Sequence, residues 1–189
     1  MTLASYISCL RIVLIVPIIY LLHLGEGHRF FGEGTNFYFY FAFSLFVIAG
    51  LTDYLDGYIA RKLNTETQLG ALLDLIADKL LVSLIMVWLV FMEYLVAVTI
   101  PALIIVAREL VISTLRQYVI EKRGNKEISV SFIGKSKTTI QIIAISMLIL
   151  AQEITSIYTL ALIAIWFAAF FSLYSLFTYV SEWFKHNLN

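Results

Sequence analysis

Apolar residues run along this chain in six long blocks, at about 7–24, 37–61, 67–91, 94–121, 136–152 and 155–181, separated by short polar stretches. A helix needs roughly 20 apolar residues to cross the hydrocarbon core of a bilayer, so the pattern predicts six transmembrane helices. Blocks of this length and continuity favour helices over the short alternating strands of a membrane barrel. The two prolines, Pro17 and Pro101, are read as lying near helix beginnings or first turns. The connections are "GEGHRFFGEGTN" (25–36), "KLNTET" (62–67), a turn around Glu93, "KRGNKEISVSFIG" (122–134) and "QEI" (152–154), which leaves room for a single domain over 1–189. Thr65 and Gln68 fit a capping box that opens the third helix and sets a tight turn after the second.

Composition agrees with the pattern. The chain has 189 residues, 61% hydrophobic and 14% charged, and a mean hydropathy of +0.90, as in an integral membrane protein. A formal net charge of +0 argues against a nucleic-acid binder, which needs a basic surface. The single cysteine, Cys9, reads as a packed thiol and gives no sign of an oxidising compartment. Without a basic leader and a small-residue cleavage site, and with Arg11 interrupting the first apolar run, no removable signal peptide is expected. No internal repeat suggests a transporter with duplicated halves.

Charge placement sets an orientation. Arg61 and Lys62 follow the second block, Lys122, Arg123, Lys126 and Lys135 follow the fourth, and Lys185 lies near the C-terminus, whereas the opposite loops hold only Arg29. The positive-inside tendency then puts both termini and the basic loops on the cytoplasmic side. Lys122, Arg123, Lys126 and Lys185 read as solvated charges that meet anionic head groups.

Candidate chemistry lies where the second and third helices meet. Asp53 and Asp56 are spaced i,i+3 near the end of one, and Asp74 and Asp78 i,i+4 near the start of the next, so each pair shares a helix face. Ionised carboxylates inside a bilayer are costly unless they face a bundle interior, pair or bind an ion. Hard oxygen donors in this number suit Mg²⁺ or Mn²⁺, and four can hold two ions roughly 3.5–4 Å apart, as in phosphoryl displacement. Gly57, Ala60 and Gly70 leave room beside the acids; equally, small residues let membrane helices pack closely. Mutual neutralisation by Asp–Arg pairs is the bland reading of the acids. "GKS" at 134–136 lacks the first glycine of a P-loop, since Ser129 stands there.

The run Asp53-x2-Asp56-Gly57-x2-Ala60-Arg61-x8-Gly70-x3-Asp74-x3-Asp78 resembles the complete signature of the CDP-alcohol phosphotransferases. The blocks "LTDYLDGYIARKLN", "GALLDLIADKL", "ARELVISTLRQ" and "GKSKTTIQ" are most similar to the phosphatidylglycerophosphate synthase branch of that family. Two departures stand out: Leu75 occupies a position where bacterial relatives usually carry proline, and their Asn-x2-Thr-x2-Arg is represented by Ser5, Ser8 and Arg11, with Ser5 and Ser8 as weak site candidates.

The resemblance implies a six-helix membrane enzyme that moves a phosphatidyl group from CDP-diacylglycerol to glycerol 3-phosphate and releases CMP. It implies a homodimer in a bacterial cell membrane, or a mitochondrial inner membrane, with the active site on the cytoplasmic side. Asp53, Asp56 and Asp74 would hold one metal and Asp78, with Asp53 and Asp74, a second. Asp78 is also the candidate general base. Asp56, Gly57, Ala60, Arg61, Gly70 and Asp74 would surround the CDP-diacylglycerol head group, although Arg61 also suits a positive-inside anchor. Lys79 could pair with phosphate or snorkel to the interface. Arg108 and Arg116 on the fourth helix, with Lys135 and Lys137 at the start of the fifth, are the cations available for the acceptor phosphate. Phosphatidylglycerol, inositol phosphate or serine are alternative acceptors. A cation transporter using the aspartates as an ion site is the alternative of another class, and a purely structural membrane subunit a third.

Overall fold

The computed structural model describes the backbone of residues 3–30, 37–63, 68–93, 96–123 and 132–187, and the side chains of 6–28, 37–52, 70, 72–92, 96–115, 117, 138–181 and 183. Six helices follow one another: α1 (Leu3–Phe30), α2 (Phe37–Leu63), α3 (Gln68–Glu93), α4 (Val96–Arg123), α5 (Phe132–Ala151) and α6 (Tyr158–Asn187), with a 3₁₀ turn at Thr155–Ile157 before the last. No strand occurs among the described residues. Four stretches are long and apolar enough to cross a membrane: Tyr6–His28, Leu72–Met92, Val96–Leu115 and Thr155–Ser181. In α2 and α5 the described apolar stretches are Phe37–Thr52 and Thr138–Ala151. The protein is therefore a multi-pass membrane protein of all-helical class.

Two expectations change. The loop expected at 25–36 begins later, since α1 continues through Phe30. Its helical glycine Gly25 is buried against α2: a Cβ there would come within 2.9 Å of the Phe39 ring. One turn on, His28 packs against Tyr38 with ring centroids 5.0 Å apart and the rings tilted by 55°, so helix packing continues where composition reads as a turn. Pro17 lies in the middle of α1 rather than near its start. The Val13 carbonyl four residues earlier thereby loses its helical donor, a loss that membrane helices tolerate through neighbouring helices and side chains. Pro101 sits just beyond the first turn of α4. The capping residue Thr65 lies outside the described residues.

The core is apolar and close-packed. Ile18 and Leu22 of α1, Phe46 of α2, Ile85 of α3, Ile105 of α4 and Ile145 of α5 are fully buried. Buried alanines recur at the helix contacts, among them Ala49, Ala77, Ala102, Ala144 and Ala168. In lipid, apolar side chains gain little by exchanging one apolar neighbour for another, so close approach at small residues supplies much of the association. Gly50 shows this: a Cβ there would meet Ile142 of α5 at 3.2 Å. The outer surface is apolar too, with Val13, Val16, Phe41, Leu103, Phe170 and Phe177 all exposed, as lipid contact requires.

Packing between helices follows a definite order. α1 packs on both α2 and α3, α5 on α6 and α2, and α4 on α6 and α3, while direct contact between α2 and α3 is slight among the described residues.

Candidate active site at the polar end of the bundle

Polar contacts between helices gather towards one end. Asp74, near the start of α3, meets Ser8 and Arg11, near the start of α1. Lys79 of α3 donates to the Ser113 hydroxyl of α4, which in turn donates to the Glu109 carbonyl one turn earlier. Arg108 of α4 donates to Ser175 of α6 at 2.8 Å. At 1.5 Å rise per residue, Asp74 stands about 9 Å along α3 from Gln68, whereas Arg108 stands near the middle of α4, about 22 Å from Arg123, so the polar contacts run from the end where α2 ends and α3 begins to about the middle of the bundle.

Asp74 is the best-defined member. Ser8 Oγ lies 3.4 Å from its Oδ1 and Arg11 Nη1 3.3 Å from the same oxygen. Ser8 and Arg11 are spaced i,i+3 on one face of α1, and each is only 1% exposed. The Asp74 side chain is 43% exposed, and its Oδ2 accepts no hydrogen bond from a described residue. The carboxylate is therefore braced on one oxygen and open on the other. Leu72, Leu75 and Ile76 beside it are exposed as well. Leu75, the residue that departs from the resemblance, continues α3 without a break.

The other sequence candidates divide by position. Gly70 is buried and Asp78 half-buried, both on α3 with Asp74. Asp53, Asp56, Gly57, Ala60 and Arg61 lie on α2, Arg116 on α4, and Lys135 and Lys137 on α5; their side chains lie outside the described residues, as does that of Ser5. Gly50, buried one turn before Asp53, brings α2 against α5 at Ile142, which is one residue from the end of the "GKSKTTIQ" block. Arg108 is 7% exposed and has Glu109 Oε1 3.6 Å from its Nη1, in addition to Ser175. Arg11 was the residue that sequence reasoning undervalued. The available signal was a cation within an apolar run, which in a membrane helix marks a partnered, interior-facing group.

A divalent cation fits the described part of this arrangement in its donor chemistry. Asp74 presents a carboxylate oxygen that no described protein group uses, and hard oxygen donors of this kind suit Mg²⁺ or Mn²⁺. Among the described residues no group of three or more His, Cys, Asp or Glu side chains converges, and the α2 half of the acid set lies outside them.

The family model for CDP-alcohol phosphatidyltransferases matches residues 1–174 of the chain. The chain belongs to the CDP-alcohol phosphatidyltransferase family. Within it, a Haemophilus influenzae protein is 39% identical over 136 residues, covering 72% of this chain and 73% of its own length. Proteins of Salmonella typhimurium and Escherichia coli K12 are each 41% identical over 138 residues, covering 72% of this chain and 75% of their own. All three carry the name CDP-diacylglycerol–glycerol-3-phosphate 3-phosphatidyltransferase. The phosphatidyltransferase signature expected from 53–78 thus sits on α2 and α3 of a helical membrane protein that its family model also matches.

Proposed function

We propose that the protein transfers the phosphatidyl group of CDP-diacylglycerol to glycerol 3-phosphate, giving phosphatidylglycerophosphate and CMP. The observation that carries this reading is the full eight-position signature on α2 and α3 in a chain about 40% identical, over 72% of its length, to relatives named for that reaction.

The acceptor hydroxyl oxygen bonds to the β-phosphorus of the diphosphate, and the bond from that phosphorus to the bridging oxygen breaks. CMP departs with the electron pair, and Asp78 takes the hydroxyl proton. Asp53, Asp56, Asp74 and Asp78 would hold the cations; Mg²⁺ or Mn²⁺, two by the number of donors, would neutralise charge on the diphosphate when bound. Gly57, Ala60 and Gly70 leave space for the cytidine end, and Arg61 offers it fixed, forked donors. Arg108, Arg116, Lys135 and Lys137 hold the acceptor phosphate. Burial suits Arg108 to this task, because a guanidinium is strengthened as a phosphate partner where water is scarce.

We further place the site on the cytoplasmic side of a bacterial cell membrane and the protein in a homodimer. The basic loops after α2 and α4 lie at the same end as the aspartates, which supports the first part.

Purified protein in detergent, given CDP-diacylglycerol, Mg²⁺ or Mn²⁺ and glycerol 3-phosphate, is expected to release CMP and form phosphatidylglycerophosphate, and a chelator is expected to stop it. Serine, inositol phosphate and phosphatidylglycerol run in parallel decide the acceptor. Turnover with one of these alone would replace the acceptor assignment, and no CMP from any of them would overturn the reaction.

A further inference from the structure

We infer that Ser8 and Arg11 of α1 are positioning residues: by bracing Asp74 Oδ1 they turn Asp74 Oδ2 outward as the oxygen offered to a divalent cation. The inference deepens the proposed function and rests on it.

Two donors from successive turns of one helix converge on the same oxygen, at 3.4 and 3.3 Å. That geometry fixes the rotation of the carboxylate, which a single contact would not. Exposure is strongly unequal across the pair, 1% for Arg11 against 43% for the Asp74 side chain. A simple bolt between helices would have both partners buried, and apolar residues serve that purpose at lower desolvation cost. α1 and α3 already have apolar contact faces, with Ile15, Ile18 and Leu22 on one and Leu81, Ile85 and Leu89 on the other, all in the core. Sealing the cation and leaving the acid open is instead what a support for a ligand oxygen requires. Arginine suits this support because its planar fork keeps its direction.

The test uses the full-length protein in detergent, stripped of metal, with Mn²⁺ added and free Mn²⁺ followed by its electron spin resonance signal. Ser8→Ala removes one donor at little risk to folding, and Arg11→Gln removes the charged one. The expected result is weaker Mn²⁺ binding, about tenfold for Ser8→Ala and up to about 100-fold for Arg11→Gln. Ser8→Thr should restore it, and Ser8→Ala should add nothing in an Asp74→Asn background. In turnover with saturating metal, Ser8→Ala should lower kcat while KM for both substrates stays within about twofold, the split expected when a transition-state interaction is lost. Unchanged Mn²⁺ binding in folded Ser8→Ala protein, an equal effect with and without Asp74, or parent protein with no Asp74-dependent Mn²⁺ binding would each overturn the inference. An Asp74-dependent effect in protein that releases no CMP would uphold the positioning role and reject the proposed reaction.

Discussion

Arg108 Nη2 donates to Ser175 Oγ at 2.8 Å, tying α4 to α6 deep in the bundle. With Glu109 Oε1 3.6 Å from Nη1, the guanidinium is held from two sides while it remains 7% exposed. An arginine fixed in this way is ready to receive an anion without first losing its own freedom.

If it receives the acceptor phosphate, Arg108→Lys keeps the charge and loses the fork. The expected outcome is about a tenfold rise in KM for glycerol 3-phosphate, equivalent to about 1.4 kcal/mol, with KM for CDP-diacylglycerol nearly unchanged. Steady-state kinetics with each substrate varied in turn checks this. Unchanged values for both would leave Arg108 as a tie between helices and move the phosphate to Arg116, Lys135 and Lys137.

Asp78→Asn keeps the size of the side chain and removes the base. Turnover should fall by about 10²–10⁴-fold, and the variant should keep its helical circular dichroism and unfolding midpoint. A variant that turns over at the parent rate would return Asp78 to a supporting role.

How far the sequence reached depends on the range of the interaction. The six helices, four of them long and apolar enough to span a membrane, were legible because each is a local run of apolar residues, and the α2–α3 signature was legible because its spacing is local as well. The end of α1 was misread for the same reason: "GEGHRF" has the composition of a loop, and only Phe39 and Tyr38 on the next helix explain why it stays helical. The brace on Asp74 joins positions 63 and 66 residues apart, and no local pattern pairs Arg11 with one aspartate rather than another. Likewise Ser113 and Ser175 look like ordinary small polar residues until Lys79 and Arg108 are found on them.

Gly25→Ala should destabilise the protein by about 1–3 kcal/mol, the usual cost of overpacking, since its Cβ would lie 2.9 Å from a ring that is itself 2% exposed. Phe39→Leu in the same chain should recover part of the loss. Thermal unfolding in detergent, followed for the single and double variants, reads both effects. An unaltered midpoint in Gly25→Ala would mean that the α1–α2 contact is loose enough to give way.

The orientation is open to chemical labelling. With Cys9→Ser as background, Asn125→Cys in the basic loop after α4 should resist a membrane-impermeant thiol reagent in intact cells and react once the membrane is opened. Reaction in intact cells would reverse the assignment of sides.

Leu75, about a quarter turn round α3 from the half-exposed Asp74, begins an exposed apolar face that continues through Leu72 and Ile76, so the acid stands next to a greasy flank of its helix. On the proposed reaction, a diacyl substrate can keep its tails among neighbouring lipids while only its head group slides sideways to the acids. Encounter then happens by lateral diffusion in a sheet, and supply depends on the mole fraction of that lipid in the bilayer, whereas the small phosphorylated alcohol arrives from bulk water. The two reactants therefore meet from perpendicular directions, and the lipid product leaves by the route its precursor took.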